Sequence, residues 1–123
     1  MTVITNGSSS RVKRLEWEGD SLEVIRDFPK EVRLNLGADL RRLQEGRKPQ
    51  DWRPMHSIGP GVGEIRDQDE RAWYRVIFYM KVKDMIYVLH AFEKDTAKTT
   101  KHDLRTAKLR QKALQARLRK EGK

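Results

Sequence analysis

Alternating apolar and polar residues mark four stretches of the chain as strands. Residues 14–18 read Arg-Leu-Glu-Trp-Glu, so Leu15 and Trp17 share one face and charged side chains share the other. The same period-two pattern returns in three later stretches, residues 62–67, 73–82 and 85–92. Short polar turns separate these three stretches, and strands joined in this way pair antiparallel. The last three strands are therefore predicted to form a meander.

Apolar residues spaced by three and four mark helices in the other segments. Asp20 or Ser21 can cap a short helix that ends at Pro29, because proline disfavours helical geometry in the residue before it. A second helix starts just after this proline, and Gly46 lies where its C-cap belongs. Its apolar face consists of Val32, Leu36, Leu40 and Leu43. A last helix, ending at about Lys120, has a narrow apolar seam of Leu104, Ala107, Gln111, Leu114 and Leu118.

The order strand, helix, helix, three strands, helix predicts an α+β domain whose helices cover one face of a mainly antiparallel sheet. Residues 49–63 are rich in proline and glycine and are predicted to be a connecting loop. Residues 1–12 lack periodicity and are expected to be a flexible tail, with 13–123 as a single domain. A length of 123 residues suits one domain and is too short for two.

Positive charge is concentrated at the C-terminal end. The chain has 27 Lys and Arg against 18 Asp and Glu, a net charge of +9. Residues 101–123 hold nine basic and two acidic side chains, so this segment alone carries +7. A localised positive field attracts phosphate polymers or an acidic partner, although the solvated side of an amphipathic helix gives the same pattern.

Composition and motif spacing exclude several classes of protein. The absence of cysteine rules out disulfides, zinc ribbons and thiolate nucleophiles. No apolar run approaches the length of a membrane span, and the N-terminus does not resemble a signal peptide, so a soluble cytoplasmic protein is expected. The glycines of residues 59–63 lack the lysine and following helix of a phosphate loop. His56, His90 and His102 are not at metal-ligand spacing, so no metal site is expected.

Polar residues occupy positions in the strands where a sheet core does not need them. Glu64 and Arg66 are two residues apart, so they share one face of their strand. Arg75 lies in a very apolar strand, where it either pairs with Glu64, stacks on an aromatic ring, or has a functional role. The alternation predicts that Val76 faces the helices, as do Phe78 and Met80, and that Arg75 lies on the opposite, more open face. His90 has two interpretations, a functional residue or a hydrogen-bonded core histidine.

Several segments, taken in order, match a known pattern. They are Leu43-Gln44-Glu45-Gly46, Gly61-Val62-Gly63-Glu64-Ile65-Arg66, Tyr74-Arg75-Val76-Ile77-Phe78-Tyr79, Ile86-Tyr87-Val88-Leu89-His90-Ala91-Phe92-Glu93-Lys94, Lys98-Thr99 and Ala107. In this order and spacing the chain resembles the phage-derived branch of the RelE/ParE superfamily, HigB-like toxins of type II toxin–antitoxin systems. Asp95 departs from the family pattern, in which a second lysine is usual, and Thr100 stands where proline is common.

The resemblance implies a RelE-like fold and a ribosome-dependent endoribonuclease that cleaves messenger RNA without metal or cofactor. It implies Glu64 as general base, Arg75 as the arginine that stabilises the phosphate, and His90 or Tyr79 as acid. The residues expected to hold RNA are Arg66, Lys94 and Lys98, with Lys101, Arg105 and Lys108 of the basic helix. The implied partners are a helix-turn-helix antitoxin, the ribosome and messenger RNA, with no membrane.

Two other functions remain open from the sequence. ParE-like members of the same superfamily act as non-enzymatic poisons of DNA gyrase. A phage protein without toxin activity is the other alternative, because a fold does not determine a function. Glu64 beside Arg66 and Arg75 favours the nuclease, since a binding poison needs no base next to an arginine.

Overall fold

Eight secondary-structure elements occupy the described part of the chain, residues 12–95 and 100–122 of the computed structural model. They are β1 (Arg14–Trp17), α1 (Ser21–Arg26), α2 (Lys30–Gln44), β2 (Trp52–Pro54), β3 (Val62–Gln68), β4 (Trp73–Tyr79), β5 (Met85–Lys94) and α3 (Lys101–Lys120). The predicted tail, residues 1–12, lies outside the described residues except for its last residue, and Lys98 lies outside them as well.

The strands form one mixed sheet of five, in the order β1-β5-β4-β3-β2. Strands β3, β4 and β5 pair antiparallel, so the predicted meander is confirmed. The number of strands differs from the prediction, because β2 lies within residues 49–63, which were expected to be a loop. It pairs antiparallel with β3, and β1 pairs parallel with β5 at the other edge. A three-residue strand that contains a proline is too short to show alternation.

Helices α1 and α2 cover one face of the sheet. The predicted apolar face of α2 is buried there, against side chains that include Ile65, Val76 and Phe78. Met80 packs against the same cluster, so the prediction for this face of β4 is confirmed. Gly46 ends α2 with a φ of 78°, and the next N–H, that of Arg47, donates 2.7 Å back to the carbonyl of Arg42. Glycine adopts this left-handed geometry without a steric penalty.

Helix α3 covers the opposite face, so the expectation of helices on one face is wrong. Its predicted seam packs against side chains that include Ile77, Tyr87 and Leu89. Strand β5 reads Met-Ile-Tyr-Val-Leu-His-Ala-Phe, which is nearly continuous in apolar residues and does not show the alternation expected of it, because the strand is buried on both faces. In the described part of the chain, no helix combines the length and the apolar character needed to cross a bilayer.

Candidate functional site

Glu64, Arg66 and Arg75 lie on the sheet face that α3 shares, on β3 and β4, with Arg53 of β2 beside them. Arg53 is opposite Glu64, and Arg66 is opposite Arg75. Residues directly opposite on neighbouring strands point to the same face. Ile65, between Glu64 and Arg66, is buried in the α1 and α2 core on the other side. The period-two prediction for this strand is therefore confirmed, and three candidate side chains, from β3 and β4, lie side by side.

A fully buried ion pair lies at the centre of this face. Both Glu64 and Arg75 are 0% exposed. Nη1 of Arg75 donates to Oε1 of Glu64 at 2.8 Å, and Nε of Arg53 donates to the same oxygen at 3.0 Å. Arg75 lies on the face opposite α1 and α2 as predicted, but the expectation that this position is open is wrong. Its guanidinium is enclosed by neighbouring side chains of the same face.

Trp73 and Arg66 contribute to this enclosure. The guanidinium carbon of Arg75 lies 5.6 Å from the centroid of the Trp73 ring, and that of Arg66 lies 5.5 Å from it. Cations at this distance from an indole are attracted to its negative face. Arg66 also donates through Nη2 to Asp51, at 3.0 Å. The ion pair and the aromatic contact considered for Arg75 from the sequence are both present.

Two buried nitrogens of Arg75 lack hydrogen-bond partners among the described residues. They are Nε and Nη2, while Nη1 is bound to Glu64. Buried polar groups in folded proteins are normally satisfied, so such atoms call for an explanation. Burial lowers the pKa of Arg75 and the charge of Glu64 partly restores it, but a guanidinium stays protonated in proteins. Nε and Nη2 together form one edge of the planar fork, which binds two oxygens of an anion.

His90 lies on the same face but beneath α3. Its neighbour across β4 is Ile77, which in turn is opposite Glu64. Its Nε2 donates to Oδ1 of Asp103 at 2.8 Å, and its Nδ1 accepts from Nη1 of Arg110 at 3.4 Å. Burial lowers the pKa of His90, although the hydrogen bond to Asp103 acts in the opposite direction. Both ring nitrogens therefore have protein partners, as in the core-histidine interpretation, and the role of acid stays a prediction.

The expected RNA-binding residues occupy two places. Lys94 is opposite Trp73, whose ring lies beside Arg75, and it is half-buried. Three others, Lys101, Arg105 and Lys108, are exposed on α3 and together line a shallow cavity of about 270 Å³. Lys98 lies outside the described residues, so its position relative to the two groups stays a prediction.

Part of the C-terminal positive charge is neutralised within the molecule. Arg110 donates to Asp20 at 2.9 Å, and Arg117 donates to Glu18 at 3.1 Å and to Glu16 at 3.3 Å. The hydrogen bond to Glu18 raises the pKa of Arg117, and the hydrogen bond from Arg110 lowers the pKa of Asp20. These pairs fasten α3 to the beginning of the chain, so they are structural contacts and not anion sites.

Sequence reasoning missed Arg53 and the covering role of Trp73. Arg53 belongs to β2, which was interpreted as a loop, so its face was not assigned. Trp73 was predicted to be a strand residue, but its contacts with Arg66 and Arg75 were not predicted.

Among the described residues, no group of three or more histidine, aspartate or glutamate side chains could hold a metal ion.

The comparisons with known proteins identify a family. No curated protein matches the chain. The model of the family described as phage derived protein Gp49-like (DUF891) matches residues 23–112, which are 90 of the 123 residues. The match spans both N-terminal helices in large part, the whole meander and the first half of α3, and it includes Glu64, Arg75 and their neighbours. The chain therefore belongs to the phage-derived Gp49-like family, which is associated with RelE-type, toxin-like proteins.

Proposed function

We propose that this protein is the toxin of a type II toxin–antitoxin system and cleaves messenger RNA on the ribosome without a catalytic metal ion. Membership of the Gp49-like family supports the toxin class. The observation that carries the enzymatic proposal is the buried edge of Arg75, whose Nε and Nη2 have no partner within the described residues. A phosphate that bridges two nucleotides offers the two oxygens that this edge fits.

The chemistry needs a base beside a cation, and the Glu64–Arg75 pair supplies both. In RNA cleavage the 2′-hydroxyl attacks the adjacent phosphorus, the 2′-O–P bond forms and the bond to the 5′-oxygen breaks. Glu64 would take the hydroxyl proton, while Arg75 would stabilise the negative charge that grows on the phosphate oxygens. The acid that returns a proton to the 5′-oxygen is His90 in this scheme, which requires it to be protonated and released from Asp103.

Access to Glu64 requires a movement of Arg53, and access to the fully buried edge of Arg75 requires a movement of the side chains that enclose it, among them Trp73 and Arg66. The Arg53 side chain is 45% exposed and is bound to the carboxylate that it covers. A bound phosphate would compete with Glu64 for this guanidinium and draw it towards the substrate. Catalytic contacts are often incomplete or blocked before substrate binds, so the closed arrangement is compatible with activity. Arg66 and Lys94 would then hold the flanking RNA, and Lys98, Lys101, Arg105 and Lys108 would add contacts to ribosomal RNA.

The test is induced expression combined with mapping of messenger RNA ends. We expect the natural chain to arrest growth and to cleave translated messages, and Glu64→Gln and Arg75→Ala to reduce cleavage by about 10²- to 10⁴-fold. Arg42→Ala is the matched control, because it removes the partner of the buried Asp39 in an ion pair of α2 outside this face. Growth arrest with intact messages, in cells producing the folded protein, would contradict the nuclease.

A gyrase poison is the second candidate, and one observation favours it. Glu64 is fully buried and already accepts from two arginines, as a purely structural ion pair would. In that case Arg75→Ala, if folded, keeps its toxicity, and cleaved gyrase–DNA complexes accumulate in place of cleaved messages. Circular dichroism and thermal unfolding of each variant establish that it is folded before its toxicity is compared.

A further inference from the structure

A second concave surface lies on the other face of the sheet, where the C-terminal end of α2 meets β2. This groove has a volume of about 490 Å³, within the range of ligand sites in proteins. Its apolar lining includes Leu43, Phe78 and Met80, and Trp52 and Pro54 of β2 border it. Trp52 is 40% exposed, one of the few large apolar side chains that the described residues leave open to solvent.

The charges around this groove are of one sign. Arg47 and Lys48 line it, and no aspartate or glutamate is among its lining residues within the described chain. Arg47 is bound to Glu45 at 2.7 Å, so part of its charge is compensated. Lys48 has no ion pair among the described residues. The groove therefore combines an apolar interior with a cationic rim, which complements an anionic ligand that has an apolar face.

Strand β2 joins this groove to the candidate site. Trp52 is opposite Ile65 and Arg53 is opposite Glu64, so consecutive residues of β2 point to opposite faces of the sheet. Trp52 borders the groove while Arg53 binds the buried carboxylate. Since β2 is the last strand of the sheet, a flexible chain can pass around this edge from one face to the other.

We propose that the groove binds a base of single-stranded RNA, adjacent to the nucleotide whose phosphate lies at Arg53. The proposal rests on the proposed function and adds a second contact for the same substrate. Aromatic rings such as Trp52 stack on bases of any sequence, and a neighbouring cation such as Lys48 binds the backbone. A peptide strand is less suited to this edge, because Pro54 lacks the N–H that a further strand would need.

Binding of a cleavage-resistant RNA tests the proposal. The probes are labelled oligoribonucleotides of two to eight nucleotides with 2′-O-methyl groups, and fluorescence anisotropy measures their affinity for the full chain. We expect affinity to rise with length until the strand reaches the groove. Trp52→Ala should remove this gain and weaken the longest probe roughly 5- to 150-fold, and Trp52→Phe should retain most of it. Leu109→Ala, which truncates another exposed apolar residue, is the control.

Salt dependence provides a second readout. Lys48→Ala should lower the slope of log affinity against log salt by about 0.7, the value for one phosphate contact on a single strand, and Lys48→Arg should restore it. Equal affinities of the natural chain and Trp52→Ala for every probe would overturn the proposal, as would failure of the longest probe to bind. If Trp52→Ala loses binding to an acidic, apolar peptide but binds RNA as the natural chain does, the groove belongs to a protein partner, and this result also overturns the proposal.

The two proposals fail in different ways. If Glu64→Gln abolishes cleavage while Trp52→Ala binds RNA normally, the nuclease stands and the groove assignment is wrong. If the natural chain does not cleave RNA but Trp52→Ala still removes the length-dependent affinity, the groove assignment stands and the nuclease is wrong.

Discussion

Arg75 and Glu64 form a buried ion pair at the positions that the proposed nuclease would use as its phosphate-binding arginine and its base. Each of the two is 0% exposed, so removing one charge leaves the other in a poorly solvated place. Breaking such a pair is strongly destabilising, whereas replacing both partners by apolar groups is often neutral or better. Loss of activity in a single variant can therefore arise from unfolding, and stability has to be measured beside activity.

The first prediction separates these two roles. Glu64→Gln should lower the free energy of unfolding by about 3–5 kcal/mol, because Arg75 keeps a buried charge without its counterion. The double variant Glu64→Leu with Arg75→Met should regain most of that loss, since Arg53 is partly solvated and needs no partner for stability. Urea unfolding of the single and double variants makes the comparison. A double variant at least as unstable as Glu64→Gln would show that the pair itself stabilises the fold.

The second prediction concerns the pH dependence of stability through His90. Burial lowers its pKa in the folded protein below the ordinary value of 6.5. As pH falls through 6.5 the unfolded chain binds a proton first, so the free energy of unfolding decreases until the folded pKa is reached. Above this pH window His90 is neutral in both the folded and the unfolded protein, so it does not make the free energy of unfolding depend on pH. Urea unfolding between pH 8 and pH 5 should show this decrease.

Replacement of His90 by a residue that does not titrate provides the control for this pH dependence. His90→Gln should be less stable at pH 8, because one or both hydrogen bonds of the ring are lost, but it should depend less on pH between 8 and 5. The exposed His56 and His102 remain in both proteins and cancel in the comparison. An unchanged slope in His90→Gln would show that another group produces the dependence.

At the scale of elements, a glycine inside α2 and a glycine just after its C-terminal end are predicted to respond in opposite directions. Gly46 ends α2 with a φ of 78°, and Gly37 lies inside it with open space around the position of a Cβ. Gly46→Ala should destabilise the protein by about 1–2 kcal/mol, because alanine is strained in the left-handed region. Gly37→Ala should stabilise it by roughly 0.5–1 kcal/mol by reducing the freedom of the unfolded chain. Thermal unfolding of both variants checks the two signs.

The elements that the sequence predicted are long enough to show helical spacing or a run of strand-forming residues. The α2 positions Val32, Leu36, Leu40 and Leu43 and the seam of α3 follow helical spacing, and all of them are buried or partly buried. Strand β2 was missed because a three-residue edge strand is held by its partner β3 and not by a pattern of its own. The parallel pairing of β1 with β5 and the placement of α3 on the second face depend on contacts between distant segments.

The same limit applies to the candidate site. Alternation placed Glu64 and Arg66 on one face of their strand, and Arg75 on the face of its own strand opposite the helices, because alternation within a single strand decides each of these assignments. It could not show that Arg53 binds Glu64, since that contact depends on the unrecognised β2. Nor could it show that Arg75 is buried, because its exposure depends on the side chains around it, Trp73 among them.

For the whole molecule, ion pairs with the N-terminal segment neutralise part of the positive charge of α3. Arg110 and Arg117, in the middle and the C-terminal half, are bound to the acidic residues Asp20, Glu16 and Glu18 near the beginning of the chain. The first turns of α3 present Lys101, Arg105 and Lys108 to solvent instead. The cationic surface that can reach a phosphate polymer therefore includes the exposed Lys112, Arg119 and Lys120 as well as the first turns, but it is smaller than the charge count of residues 101–123 suggests because Arg110 and Arg117 are paired.

The last prediction concerns this surface and its ionic contacts. The triple variant of Lys101, Arg105 and Lys108 to alanine should lower the slope of log ribosome affinity against log salt by about two units, because each phosphate contact contributes roughly 0.7 to 0.9. The positions of cleavage should not change, since contacts to phosphates carry little base information. Ribosome binding across a salt series, with cleaved sites mapped in parallel, measures both quantities.

A triple variant elsewhere on the surface makes this test specific. Arg26, Lys30 and Lys83 are also exposed, and their replacement by alanine removes the same net charge outside α3. If the positive field of the whole molecule attracts the ribosome, both triple variants weaken binding equally. If α3 touches the RNA, the slope falls only in the α3 variant, because counterions are released only where side chains meet phosphates. An altered cleavage pattern in the α3 variant would instead make this helix part of substrate selection.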